Sequence, residues 1–597
     1  MRTAGAILVF VAVSVSAAVA LAFPLRGLSQ ALAWTAFAAG LAAAVVAWRG
    51  IRAREWRPPT AWDVLMLTVF ALASLRAFLW LLYPVGDEWR VLSPNNLGDI
   101  SLHLDLIRYL AGGVDFWPAS PILAGAPLTY PLGVDLFNSL LLCAGVPIEK
   151  GLIWIGLLGA GLSAWALWRW GGAFAVAALL FNGGLAGFLI FQTGHVADFQ
   201  TELAWKNFFL TMFVTQRGLL YALPCGLFLL SVWREDLCGT GFPACGPAQT
   251  QAGKPVTHFR AARNRNDGSG SGVPQWIAFL LYATMPLFSA HAFVFLSLVL
   301  ACAFLVNPLK RKFLAAFVAC AILPATAALF FVTGHFAASS GLRWLPGWMQ
   351  KSDVWLNYAN NSGHLWLHDP AAWIFWIWNF GISLPLLLLL GWSLIRNRRR
   401  DALCFAGTGL FVFLVCCFVS FAPWEWDNTK LFLWAWLACA PFLWEMISKW
   451  PAPARALTCF LLFFSGAVSL VGGLDGRHGY KLTTRSELAA AAAVLAPVPL
   501  EDRIAVEPDF NNPVMLLGRP VLCGYEGHLW SHGLNYRRQW DALQAVLKQE
   551  SGWQETLHHL DAKWLYLKAS PPLLIKIPRP DYSPNPRPAS SRPISSR

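Results

Sequence analysis

Apolar runs of about twenty residues recur along most of this chain, each long enough to cross a bilayer as a helix. Residues 5–24, 31–48, 62–84, 313–333, 402–421 and 456–473 are clear cases. Hydrocarbon offers a backbone no water, so such a run must satisfy its own N–H and C=O groups. Charged residues are 13% of the chain, against roughly 25% in a soluble domain. The expected fold class is therefore mainly α, a polytopic transmembrane helical bundle of about 13 spans. The 32 Trp, many near span ends, suit interfacial anchors.

The net charge of +13 does not mark a nucleic-acid binder. The basic residues sit in short loops between spans, where the positive-inside bias places them. Nor do the 12 Cys form a disulfide framework. Most lie inside apolar runs and read as small hydrophobes.

Residues 5–24 read as an uncleaved first helix rather than a signal peptide, because the span 31–48 follows at once. These give two extra N-terminal helices over 1–61. The loop after them holds Arg49, Arg52, Arg54 and Arg57 against one Glu, so it is assigned to the cytoplasm. A transmembrane core then covers 62–473, with outer loops at 85–135, 194–217 and 334–371. Within it, 136–148 is too short to cross and is expected as a helix at the outer surface. Spans 151–168 and 173–193 form a hairpin whose inner turn holds Arg169. Residues 275–306 break at Met285-Pro286 and Ser289-Ala290-His291 into two segments. The segment 234–274, rich in Gly, Ser, Asn and Arg, is expected as a disordered cytoplasmic insertion.

Composition changes after Arg477. Residues 503–508 and 513–518 read as short strands, 537–549 as a helix and 562–569 as a strand. A small extracytoplasmic α/β domain is expected over 478–576, followed by a disordered tail at 577–597.

This topology gathers polar residues at the outer face: Asp87 and Glu88, Asp99 and His103, His195 and Asp198, Gln216 and Arg217, His291, His335, and the run Trp424 to Lys430. Ionisable groups at span ends are costly and mark either function or a pair. Each has a structural alternative. Asp87 and Glu88 suit a solvated helix end. Asp99 suits an N-cap, or a helical pair with His103 four residues on. His291 suits a satisfied buried histidine, and Arg217 a snorkelling helix end. Asp427 and Lys430 suit a structural ion pair.

From Asp99 to Phe137 the chain resembles the GT-C superfamily of membrane glycosyltransferases, which includes protein O-mannosyltransferases and lipid A sugar transferases. Asp99 follows an outward-going span and precedes a short helix over Ser101 to Leu110. Tyr130-Pro131 then leads into 136–148, and the hairpin 151–193 follows. Leu132 stands where the family more often has a second Pro. The run GRPVLCGYEGHLWSHGLNY (518–536) also looks like the end domain of uncharacterised bacterial members.

The resemblance implies sugar transfer from a polyprenyl-phosphate donor to a glycan, lipid or protein acceptor, outside a bacterial inner membrane. It makes Asp99 the general base, with Asp87 and Glu88 the competing match. Arg217 and Lys430 would meet the leaving phosphate. His103 or His291 would hydrogen-bond phosphate or sugar, and Trp424 and Trp426 would stack on the substrate. Tyr130, His195, Asp198, Gln216 and Asp427 complete the candidate binding set. No metal is required by the spacing, and Asp99, His103 and Asp198 are the ligands if a divalent ion is used. Two other classes remain: a non-catalytic scaffold of GT-C fold, and a transporter or flippase. Polar groups at one face rather than mid-membrane argue against the last.

Overall fold

Helix after helix in this chain is built from the apolar runs, and eight are long and apolar enough to cross a membrane among the described residues. The computed structural model describes residues 1–52, 58–200, 205–238, 270–336, 342–346, 348–351, 370–422, 425–477, 479–560 and 562–577. Most of the expected insertion at 234–274 and nearly all of the tail at 577–597 lie outside the described residues.

α1 (Arg2–Leu25) and α2 (Gln30–Gly50) form an antiparallel hairpin. Arg2 Nε closes it by donating to the Ile51 carbonyl oxygen at 2.5 Å. α3 (Ala61–Leu79) opens with a capping box between Thr60 and Asp63. α4 (Leu97–Ala111) and α5 (Gly133–Cys143) are the short helices that follow the third span. α5 is the helix expected at 136–148. Its residues 133–140 are buried, and Ser139 Oγ donates to the Ile107 carbonyl of α4 at 3.0 Å.

α6 (Ile148–Leu180) joins both halves of the expected hairpin. Gly171 and Gly172 leave helical geometry, Gly172 with φ 64°, a conformation that favours glycine. Asp63 Oδ1 accepts the Ala173 N–H at 2.8 Å and so caps the returning arm. That arm does not reach 193 as one span. It stops at Leu180, and irregular backbone runs from Phe181 to Leu185.

Irregular backbone inside a bundle needs protein partners, and buried amides supply them. Asn207 Nδ2 donates to the Leu180 and Gly466 carbonyls at 2.8 and 3.0 Å. Asn207 Oδ1 accepts the Leu210 N–H at 3.0 Å. Asn182 Oδ1 accepts the Phe208 N–H at 2.7 Å, and Asn379 Oδ1 accepts that of Trp205 at 3.2 Å.

The basic turns gather at one end of the bundle. The Arg52 N–H bonds the Gly272 carbonyl, Arg169 pairs with Glu235, and Arg234 and Arg399 share Asp401. Asp99 lies at the other end.

There the C-terminal region is tied in by strands. Residues Tyr83–Val85 and Glu88–Val91 form a hairpin, to which Tyr480–Thr484 adds antiparallel. A second sheet pairs Arg503–Ala505 parallel to Ala562–Leu567, with Leu573–Lys576 antiparallel beyond. The expected strands at 503 and 562 and the helix Arg537–Leu547 are present. The expected strand at 513–518 is instead a helical turn, Pro513–Leu516. Asn512 caps it, its Oδ1 accepting the Val514 N–H at 3.0 Å, and proline suits the first helical position. Backbone bonds from Val521 to Pro121, Gly524 to Ile122 and Ala124 to Leu522 join this region to the first outer loop.

Candidate active site

α4 begins at Leu97, so Asp99 lies in its first turn and is not the N-cap. Its carboxylate is half-buried, and Gln216 Nε2 lies 3.5 Å from Oδ2. Burial raises its pKa above the ordinary carboxylate value; His103 and Lys430 pull it back, and Asp427 adds to the rise.

His103 does not pair with Asp99. Both are on α4, but the Nδ1–H of His103 donates to Asp135 Oδ2 at 2.9 Å, with both side chains buried. Asp135 is in the first turn of α5. This bond fixes the imidazole, and Tyr130 packs edge-on to it with centroids 6.2 Å apart.

Opposite Asp99, Lys430 Nζ pairs with Asp427 Oδ1 at 3.1 Å, each about one-fifth exposed. His291, in the first turn of Ala290–Val306, lies in the field of both. Lys206 Nζ sits 4.7 Å from the Trp426 ring centroid, a cation–π contact. Trp424 lies outside the described residues.

The C-terminal region closes this group, a contribution the sequence motif did not reveal. The His532 ring lies 5.3 Å from that of Tyr130 and in the fields of Asp427, Lys430 and His103. Burial lowers its pKa to about 4, so it is a neutral imidazole at pH 7. One turn earlier, His528 Nε2 lies 3.1 Å from the Gly98 carbonyl oxygen. The Tyr536 hydroxyl donates to Glu526 Oε1 at 2.7 Å and fastens the turn that carries both histidines. A His four residues before another His was the available signal, but nothing local says what the pair faces.

Other candidates are placed differently. Arg217 is buried, with Nη1 and Nη2 each 3.4 Å from the Leu152 carbonyl oxygen, and in the field of Asp135. It holds the loop before Leu219–Cys238 and lies in the field of Tyr130. Asp87 and Glu88 belong to the strand hairpin. Asp87 accepts from Ser486 Oγ at 2.5 Å, and Glu88 pairs with Arg90 at 2.7 Å. His195 is exposed, its Nδ1 3.2 Å from the Thr193 carbonyl. Asp198 accepts the Gln200 N–H at 3.1 Å and packs against Gly472. The ligand set Asp99, His103 and Asp198 is thus not assembled. Among the described residues, no group of three His, Cys, Asp or Glu is placed to hold a metal ion.

No protein-family model matches the sequence, and no curated protein matches it significantly. Among solved structures, the apo oligosaccharyltransferase of Archaeoglobus fulgidus aligns with a TM-score of 0.43 at 10% identity, covering 85% of this chain and 69% of that one. The archaeal oligosaccharyltransferase AglB of the same organism, in complex with an inhibitory peptide and a dolichol-phosphate, aligns at 0.41 and 10% identity, with 85% and 69% covered. Both scores fall below 0.5, and the functional argument rests on the site itself.

Proposed function

We propose that this chain is a membrane glycosyltransferase that moves a sugar from a polyprenyl-phosphate-linked donor to an acceptor hydroxyl or amide. The observation that carries this is the half-buried Asp99 carboxylate, 3.5 Å from Gln216 Nε2 and in the field of the Lys430 and Asp427 pair, a field that also reaches His291 and His532. A base, a fixed cation and neutral hydrogen-bonding groups are what glycosyl transfer from a phosphate needs.

In the reaction, the acceptor heteroatom bonds to the anomeric carbon as the bond from that carbon to the phosphate oxygen breaks. The phosphate leaves with the electron pair, and Asp99 takes the acceptor's proton. A base placed this way contributes roughly 100- to 10,000-fold. Lys430 meets the leaving phosphate, held by Asp427 rather than neutralised in bulk water. Lys206 stands behind it over Trp426. Gln216 orients the carboxylate, and His532 and Tyr130 form the wall supplied across the C-terminal contact.

The basic turns at the far end support an extracytoplasmic site in a bacterial inner membrane. On this reading the chain divides into two extra helices at 1–61, a core at 62–473 and an outer domain at 478–576. The test is sugar transfer in membranes by wild type and Asp99→Asn. A correctly folded Asp99→Asn variant with unchanged transfer removes the proposed base. The scaffold reading gains only if wild type transfers no sugar from any polyprenyl-phosphate donor.

A further inference from the structure

A large cavity of the bundle opens at the end opposite Asp99. Its volume is about 880 Å³, within the roughly 300–1,000 Å³ of built small-molecule sites. Glu445 lines it, and Lys430 stands fifteen residues earlier on the same helix, roughly 22 Å away at 1.5 Å per residue. The cavity and the candidate active site are therefore separate.

The cavity follows from the break in α6. At Gly171 and Gly172 the chain turns back, and the returning arm packs against the 428–447 and 452–475 helices. Phe174 stacks on Trp444 at 5.4 Å and meets Phe463 edge-on at 5.3 Å. Between that arm and α3 a groove stays open. Its wall is hydrocarbon and aromatic: Met66, Phe181, Phe460, Phe463, Phe464 and Ala467.

The mouth is different. Arg169, Arg234 and Arg455 line it, with Trp62 and Trp168 beside them. Its two acids are engaged. Asp63 accepts from Thr60 and from the Ala173 N–H at 2.9 and 2.8 Å, and Glu445 pairs with Arg399 and Lys449. Arg169 and Arg234 have acidic partners at 3.9 and 3.6 Å. Arg455 donates to the Ser448 carbonyl at 3.2 Å and makes no ion pair among the described residues. An arginine beside interfacial tryptophans, at the head of a hydrocarbon slot wide enough for more than one chain, is complementary to a phosphate carrying acyl chains.

We propose that this groove is a binding site for an anionic phospholipid of the leaflet at the basic end. Its phosphate meets Arg455, and its acyl chains run along the phenylalanine wall. The site is independent of the proposed transfer reaction and holds whether or not that reaction occurs.

The test is native mass spectrometry of the full chain in detergent, titrated with phosphatidylglycerol, phosphatidylcholine of the same chains, and undecaprenyl phosphate. Phosphatidylglycerol is expected to bind at least tenfold more tightly than phosphatidylcholine. Arg455→Gln should erase that preference, and Arg455→Lys should keep most of it. Ala456→Trp, which fills the groove, should block binding with the melting temperature unchanged. Equal binding of the two phospholipids overturns the proposal, as does an Arg455→Gln variant with wild-type affinity. Preferential uptake of undecaprenyl phosphate overturns it in favour of a second prenyl site.

Discussion

His528 Nε2 lies 3.1 Å from the carbonyl oxygen of Gly98, so the C-terminal region touches the backbone one residue before Asp99. His528→Ala removes that bond, a loss of about 0.5–1.5 kcal/mol. The expected outcome is a lower melting temperature and faster proteolysis after Asp475, with the membrane bundle intact.

The same contact is expected to be acid-labile. Burial holds His528 at about 3 and His532 at about 4, below the ordinary histidine value of about 6.5. Below 6.5 the unfolded chain binds more protons than the folded one, so stability falls as pH drops toward these values. A plot of melting temperature against pH should decline from about 6.5 downward. It should flatten in His528→Gln/His532→Gln.

Asp99 acts in its unprotonated form, and burial raises its pKa. The acid limb of the rate should therefore lie above the ordinary aspartate value of about 3.9. Lys430 lowers that pKa and Asp427 raises it. Lys430→Gln should move the limb up in pH, and Asp427→Asn should move it down. A limb indifferent to both contradicts the assignment of the base.

Lys430→Gln should also reduce kcat/KM by roughly 100- to 1,000-fold, the usual loss for one fixed group at developing charge. Arg217→Gln is expected to act through folding, because its Nη atoms face the Leu152 carbonyl. Measured kcat/KM beside thermal unfolding separates the two.

Asn207→Leu should destabilise the bundle by at least about 2 kcal/mol, since it strips partners from several buried backbone groups. Asn207 serves the Leu180 and Gly466 carbonyls and the Leu210 N–H. Thermal unfolding in detergent checks it.

Those amides mark where the sequence stopped being readable. The apolar runs at 5–24, 31–48 and 456–473 appear as the helices Arg2–Leu25, Gln30–Gly50 and Ala452–Asp475, because length and hydropathy are local properties. The run at 173–193 has the same composition but breaks at Phe181, because Asn207, the Trp378 carbonyl and Ser465 satisfy its backbone from far along the chain. At the site, Asp99, Gln216, His291, Asp427 and Lys430 were legible as polar groups at the ends of spans on one side. The helical pair of Asp99 and His103, one of the alternatives their spacing allows, is not made, because Asp135 on α5 takes the His103 Nδ1–H. His532 was not legible, since its neighbour Tyr130 lies some four hundred residues away in the chain. Pro513 read as part of a strand because its neighbours are apolar, while its cap, Asn512, governs the local fold.

The most direct measurement is sugar transfer from polyprenyl-phosphate donors in membranes, with wild type, Asp99→Asn and Asp87→Asn assayed side by side and their melting temperatures compared. The expected result is transfer by wild type and Asp87→Asn, and a loss of roughly 100-fold or more in Asp99→Asn at an unchanged melting temperature. Full activity in Asp99→Asn, or loss in Asp87→Asn alone, would contradict the account.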